Sequence, residues 1–121
     1  MTRFSQGDVV LLCYPFTDLQ TTKQRPAVII SANWFNQRRA DYVLVAITSQ
    51  VPAMLARDEM ALSPDDLTSA GLPKPSIAKL GKIARLEQSL VRKRLGKLPG
   101  PTLSRAVRGV CQIIKEEQHS P

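Results

Sequence analysis

Three short apolar runs crowd the first part of the chain: VVLLCY after Asp8, PAVII from Pro26 and YVLVAIT from Tyr42. Each is shorter than an ordinary helix. Each is also rich in Val and Ile, whose branched side chains fit a pleated strand better than a helical turn. Gly7-Asp8 is a turn signal ahead of the first run, and Pro15 limits its far end. The pattern predicts strands over 8–14, 26–31 and 42–48, the first buried on both faces for much of its length. Three strands joined by connections this short imply an antiparallel sheet. Between them lie a polar loop without glycine at 17–24 and a polar stretch at 33–39, read as a loop or one helical turn.

The second half adds weaker strands and two helices. Residues 59–62 fit a short strand, and SPDD at 63–66 is a helix start. Ser63 caps, Pro64 takes the first helical position, and Asp66 favours the positive end of the helix dipole. Gly71 and Pro73 end that helix. SIAKLGKIARLE at 76–87 alternates apolar with basic residues in places and reads as a strand with Gly81 as a bulge or bend. Residues 89–98 mix apolar and basic residues and are expected to close the edge of a barrel. From Pro101 to about Glu117, Leu103, Val107, Val110 or Cys111, and Ile114 recur at helical spacing, with Arg105, Arg108 and Lys115 off that stripe. The expectation is one domain over 1–121, α+β and mainly antiparallel β, built as a small barrel with a terminal helix.

Charge narrows the partners. Seventeen Lys and Arg against ten Asp and Glu leave a net charge of +7, which favours a polyanion: RNA, DNA or an acidic protein segment. Lysines and arginines far outnumber the single acid, Glu87, between Pro73 and Arg108. The one histidine, His119, lies in a tail expected to fray, so a two-histidine ribonuclease mechanism within one chain is excluded and a Ser-His-Asp or Cys-His site is disfavoured. Neither GxxxxGK nor GxGxxG occurs. Asp58/Glu59 and Asp65/Asp66 read as a solvated turn and a helix start, so no metal site or cofactor is expected. Cys13 and Cys111 fall in separate apolar runs and read as small core residues. With no apolar run near the ~18 residues of a membrane span and a polar N-terminus, the expected compartment is the cytoplasm. An enzyme of this composition must work with arginine, lysine and hydroxyl groups. That suits a reaction in which negative charge develops and fixed donors stabilise it, such as phosphodiester cleavage.

GDVVLLCYPFTDLQTTKQRPAVIIS resembles the N-terminal signature of the MazF/PemK family, toxins of type II toxin–antitoxin systems. The elements are a Gly-Asp opening a strand, Pro-Phe-Thr-Asp, a short polar loop, then Arg-Pro-Ala and an apolar strand ending at Ser31. YVLVAITSQ is similar to the family's next strand, and LPKPSIAKLGKIARLEQSLVRKRLGKL to its later segment. The resemblance implies an SH3-like small barrel with a C-terminal helix, assembled as a homodimer. It implies a metal-independent endoribonuclease that is selective for sequence in single-stranded RNA. In that chemistry a ribose 2′-OH attacks the adjacent phosphate, leaving a 2′,3′-cyclic phosphate and a 5′-OH. The implied partners are the RNA and an antitoxin with an acidic, disordered tail, with no membrane involved.

The resemblance places catalysis at Arg25, of the Arg-Pro motif, and Thr48, which ends the third strand. A guanidinium offers a planar fork to two phosphate oxygens but holds its proton too tightly to be a good base, so Arg25 is assigned mainly to the pentacovalent transition state, with proton donation to the leaving oxygen open as a second role. Thr48 is assigned to a phosphate oxygen or to the 2′-OH. Thr17, Gln20, Thr21, Thr22 and Lys23 of the polar loop, with Ser49 and Gln50, are candidate RNA contacts; Lys79, Lys82 and Arg85 are expected to add field and phosphate contacts. Taken singly, Arg25 also reads as a charge at a strand end and Thr48 as a β-branched strand terminus. Gly81 departs from the family, since several members carry an aspartate in an Arg-x-Asp motif there. That departure keeps open a slow or inactive member acting as a binding module for RNA or a protein such as gyrase. Six aromatic residues leave little material for an extended base-stacking platform.

Overall fold

The computed structural model describes residues 3–13 and 24–115. Its strands are β1 (Asp8–Cys13), β2 (Gln24–Ile29), β3 (Asp41–Thr48), β4 (Glu59–Ala61), β5 (Ile77–Glu87) and β6 (Val91–Lys97). The helices are α1 (Asn33–Arg38), α2 (Pro64–Ala70) and α3 (Gly100–Ile114). One six-stranded sheet holds all the strands in the order β4-β5-β3-β2-β1-β6. Every neighbouring pair is antiparallel.

Period-two alternation gives this sheet two cores, one on each face. Val9, Val28, Val45 and Ile47 face α2 and α3 together with Met60, Leu80, Ala106 and Val110. Their strand neighbours Val10, Leu12, Ala27, Ile29, Tyr42 and Leu44 form the second cluster, with Leu86. The first run is therefore buried on both faces, as its continuous apolar character implies: Val9 and Val10 are both 0% exposed. Phe4 covers the second cluster edge-on to Tyr42, whose hydroxyl accepts the Phe4 N–H at 3.1 Å.

The sheet curls like a small barrel but does not close, because β4 and β6 remain edge strands. Helix α2 is packed against β6 at backbone distance. A Cβ on Gly71 would stand 2.1 Å from the Leu95 carbonyl oxygen, and one on Gly96 would stand 2.3 Å from that of Ser69. The Ser69 hydroxyl donates to the Lys97 carbonyl at 2.5 Å. Residues 89–98 were expected to close the barrel; β6 instead forms its last edge against β1, and α2 covers it.

Local chemistry explains the ends of α2. Ser63 and Asp66 form a reciprocal capping box: the Asp66 N–H donates to the Ser63 hydroxyl at 3.1 Å, and the Ser63 N–H to Asp66 Oδ2 at 2.9 Å. Gly71 closes the helix at φ 70°, in the left-handed region that suits glycine. Asp66 Oδ1 also accepts the buried Thr102 hydroxyl at 2.6 Å, which ties α2 to α3. Burial alone would raise the Asp66 carboxyl. The hydrogen bonds from Thr102 and Ser63 and the charge of Arg105 outweigh it, so the group sits below its ordinary value.

Three expectations change. Strand β2 begins at Gln24, so Pro26 lies inside it instead of opening it. The buried face of α3 is Thr102, Ala106 and Val110 with Leu103 against it, whereas Cys111 and Ile114 are exposed. Small residues select that face because α3 lies so close to β5 that a Cβ on Gly109 would reach 2.4 Å from Leu80 Cδ1. Cys13 is half-buried at the end of β1 and Cys111 is exposed; both are free thiols, and neither belongs to a core cluster. The 33–39 stretch, read as a loop or one helical turn, takes the helical alternative as α1, held by the buried Asn36, which donates to the Ser31 carbonyl at 3.0 Å. The bulge expected at Gly81 is present: Val45 pairs with Ile83 and Ala46 with Lys79, so residues 80–82 loop out of the ladder. The Leu80 N–H there donates to the Asp58 carbonyl at 2.8 Å.

Candidate active site

Strands β2 and β3 part company at one end of the sheet. Their ladder runs from Ile29–Leu44 to Ala27–Ala46 and stops. Pro26 follows, with no N–H to carry the pairing on. Extending the register two more residues sets Arg25 across from Thr48. Each is anchored on its other side: Arg25 pairs with Leu12 of β1, and Thr48 with Ile77 of β5. The gap between them opens into two clefts that share Arg25, Ile47 and Thr48 as a common rim.

The two clefts differ in chemistry. One, about 200 Å³, is lined by Gln50, Lys79 and Lys82 beyond the shared rim and Ala46. The other, about 480 Å³, runs under β1 and the α2–β5 loop, with walls from Leu11, Pro26, Leu72, Pro73 and Leu95. Ser49, Gln24, Lys74 and Ser76 supply its polar groups.

Several of the basic side chains among the described residues are held in ion pairs, and Arg25 is not one of them. Arg94 pairs with Asp8 at 3.1 Å, Arg85 with Asp41 at 2.8 Å, and Lys79 with Glu59 at 3.9 Å. Among the described residues no carboxylate pairs with Arg25, which is exposed at the cleft rim. The Thr48 hydroxyl oxygen accepts the Gln50 N–H at 3.1 Å, which leaves its proton to donate outward. A forked cation and a hydroxyl donor thus meet at one rim. The pair suits a phosphoryl group that gains negative charge.

The remaining candidates sort by position. Ser49 lines the larger cleft, and Gln50, Lys79 and Lys82 line the smaller. Arg85 lies away from both. It pairs with Val43 across the sheet, five residues up β3 from Thr48 or roughly 17 Å. Its guanidinium is bonded to Asp41 and lies 5.6 Å over the Phe35 ring. Thr17, Gln20, Thr21, Thr22 and Lys23 lie outside the described residues. Lys74, Ser76 and Gln24 are cleft residues that the sequence reading did not single out. The signal available was LPKP, a lysine between two prolines, set just before a strand. Among the described residues there is no cluster of three or more His, Cys, Asp or Glu able to hold a metal ion.

The profile of the PemK-like, MazF-like toxins of type II toxin–antitoxin systems matches residues 5–114. The chain belongs to this family. It is a family of endoribonucleases, and curated relatives carry that name. Endoribonuclease MazF2 of Mycobacterium bovis and endoribonuclease MazF6 of Mycobacterium tuberculosis are each 24% identical over 100 residues, covering 83% of this chain and 86% of theirs. The fold is shared with MazF from a MazE–MazF crystal structure of Deinococcus radiodurans, at TM-score 0.72 and 15% identity over 97% of this chain and 100% of that one. It is shared too with a mycobacterial endoribonuclease in complex with its cognate antitoxin, at TM-score 0.69 and 21% identity over 91% and 93%. Arg-Pro-Ala in β2 and Ile-Thr-Ser-Gln at the end of β3 both reach the rim. No helix among the described residues is long and apolar enough to cross a membrane.

Proposed function

We propose that this toxin, acting in the cytoplasm as one domain, cleaves single-stranded RNA at selected sequences without a metal ion. A ribose 2′-OH attacks the adjacent phosphorus and gives up its proton to solvent, the bond from phosphorus to the 5′-oxygen of the next nucleotide breaks, that oxygen takes up a proton from solvent or the Arg25 guanidinium, and the products are a 2′,3′-cyclic phosphate and a 5′-OH. The observation that carries this reading is Arg25, unpaired among the described residues and set across from the Thr48 hydroxyl where two clefts meet. Arg25 binds two non-bridging oxygens as charge builds on them, and Thr48 donates to the phosphate or orients the attacking hydroxyl. Lys79 and Lys82 add positive field along the smaller cleft.

The assembly follows the relatives. The toxin acts as a homodimer, and an antitoxin with an acidic, disordered tail inhibits it by occupying the same basic rim that RNA uses. The antitoxin-bound relatives support this reading, as does the net charge of +7.

Purified protein, a long RNA and EDTA test the reaction. Cleavage that persists in EDTA, leaves 2′,3′-cyclic phosphate and 5′-OH ends, and disappears in a folded Arg25→Ala variant is the expected result. Intact RNA at excess protein would refute it, and cleavage abolished by EDTA would refute the metal-free chemistry.

A further inference from the structure

The two clefts at the rim are unlike, and a substrate lying across Arg25 and Thr48 meets a different environment on each side. The smaller cleft is more polar and cationic, with Lys79, Lys82 and Gln50. Such a surface holds phosphates and discriminates little among bases. The larger cleft has aliphatic and proline walls and a size within the range of pockets that take small organic ligands. Lys74 makes no ion pair among the described residues and stands with Ser49, Ser76 and Gln24 as the polar lining of this cleft.

Resting on the RNA-cleaving reading above, we infer that the larger cleft is a base-binding subsite for the nucleotide on one side of the scissile phosphate. Lys74 donates there to a carbonyl oxygen of the base, so sequence is read mainly on that side. The cleft wall is preformed. Gly71 is held against the Leu95 carbonyl, the Leu72 N–H donates to the Leu67 carbonyl at 2.9 Å, and prolines stand on both sides of Lys74. The Ser76 hydroxyl donates to the Lys74 carbonyl at 2.9 Å and fixes the backbone that carries the ammonium group. A rigid wall lowers the ordering cost of binding, so discrimination shows as affinity. Among the described residues no aromatic side chain lines the cleft, and its aliphatic faces grip the base, which is read at its edge. An ammonium group only donates, and the exocyclic oxygens of uracil, guanine and cytosine offer it stronger acceptors than the ring nitrogens of adenine.

Sequencing the new 5′ ends from a long RNA gives the preferred site. An oligonucleotide of that sequence, with a 2′-deoxy residue at the point of attack, then binds without being cut. Single abasic substitutions on each side of the scissile phosphate are titrated by fluorescence anisotropy. Loss of the base on one side should weaken binding roughly tenfold, and loss on the other less than about threefold. Lys74→Met should lose rejection of adenine at the sensitive position alone, while Lys74→Arg keeps it. Equal abasic losses on both sides, or an unchanged base preference in Lys74→Met, would overturn the inference while leaving the cleavage reading intact. A wild-type protein that cuts no RNA would overturn both.

Discussion

Asp66 joins the stability of the fold to the shape of the cleft. Its carboxylate closes the α2 capping box with one oxygen and accepts the Thr102 hydroxyl with the other. The perturbation is Asp66→Ala. The Ser63 cap remains, but loss of the reciprocal bond from the Ser63 N–H costs about 0.5–1.5 kcal/mol and loss of the Thr102 bond to the charged group about 1.5–3 kcal/mol, with Thr102, 6% exposed, left without its acceptor. Contributions that share one side chain do not simply add, so the expected total is about 3 kcal/mol. For a domain of this size that is a fall in Tm of roughly 10 °C. Urea unfolding of wild type, Asp66→Ala, Thr102→Val and the double variant measures both the loss and the coupling. A loss below about 1 kcal/mol, or a cycle with no coupling between positions 66 and 102, would refute the reasoning. The pH dependence has a defined sign. Because the folded pKa lies below the unfolded one, this stability is present above the unfolded carboxylate range and is lost as pH falls through the folded value. Asp66→Ala should therefore lose less stability than wild type on acidification. The same variant should weaken RNA binding, because α2 carries Gly71 and Leu72 into the wall of the larger cleft.

Three further outcomes are expected. Thr48→Val should lower the single-turnover cleavage rate by about 10²–10³ with thermal stability close to wild type, and Thr48→Ser should restore most of it; equal rates in Thr48→Val would remove the hydroxyl from the reaction. Gly71→Ala combines a left-handed φ with a Cβ aimed 2.1 Å from the Leu95 carbonyl, so the variant should unfold at much lower urea than wild type, and an unchanged midpoint would contradict the α2–β6 contact. Arg85→Ala, distant from both clefts, should leave cleavage within about twofold and cost at most about 1 kcal/mol for its exposed pair with Asp41, and a large activity loss would place Arg85 in the site after all.

Much of this arrangement is legible in the sequence because it is locally encoded. The three β-branched runs became β1, β2 and β3, and SPDD became the capped start of α2. Gly81 marked a bulge because the ladder slips there. What stayed hidden depends on contacts between distant segments. The Gly71–Leu95 and Gly96–Ser69 approaches that set α2 on β6 leave no pattern in either segment. The burial of α3 follows its small residues, and hydrophobic periodicity alone pointed to Ile114 and Cys111. Arg25 and Thr48 were named from motifs, but only the register of β2 on β3 puts them across one gap. Lys74 escaped notice because its meaning lies in the cleft and not in the charge pattern around it.

The central claim is that the Arg25 guanidinium stabilises the transition state through two simultaneous hydrogen bonds. Arg25→Lys keeps the charge and removes the fork. With RNA at saturation in single-turnover conditions, the account predicts a cleavage rate at least about 100-fold below wild type and an RNA Kd within about threefold. A rate within threefold of wild type, or a loss that appears wholly in Kd, would contradict it.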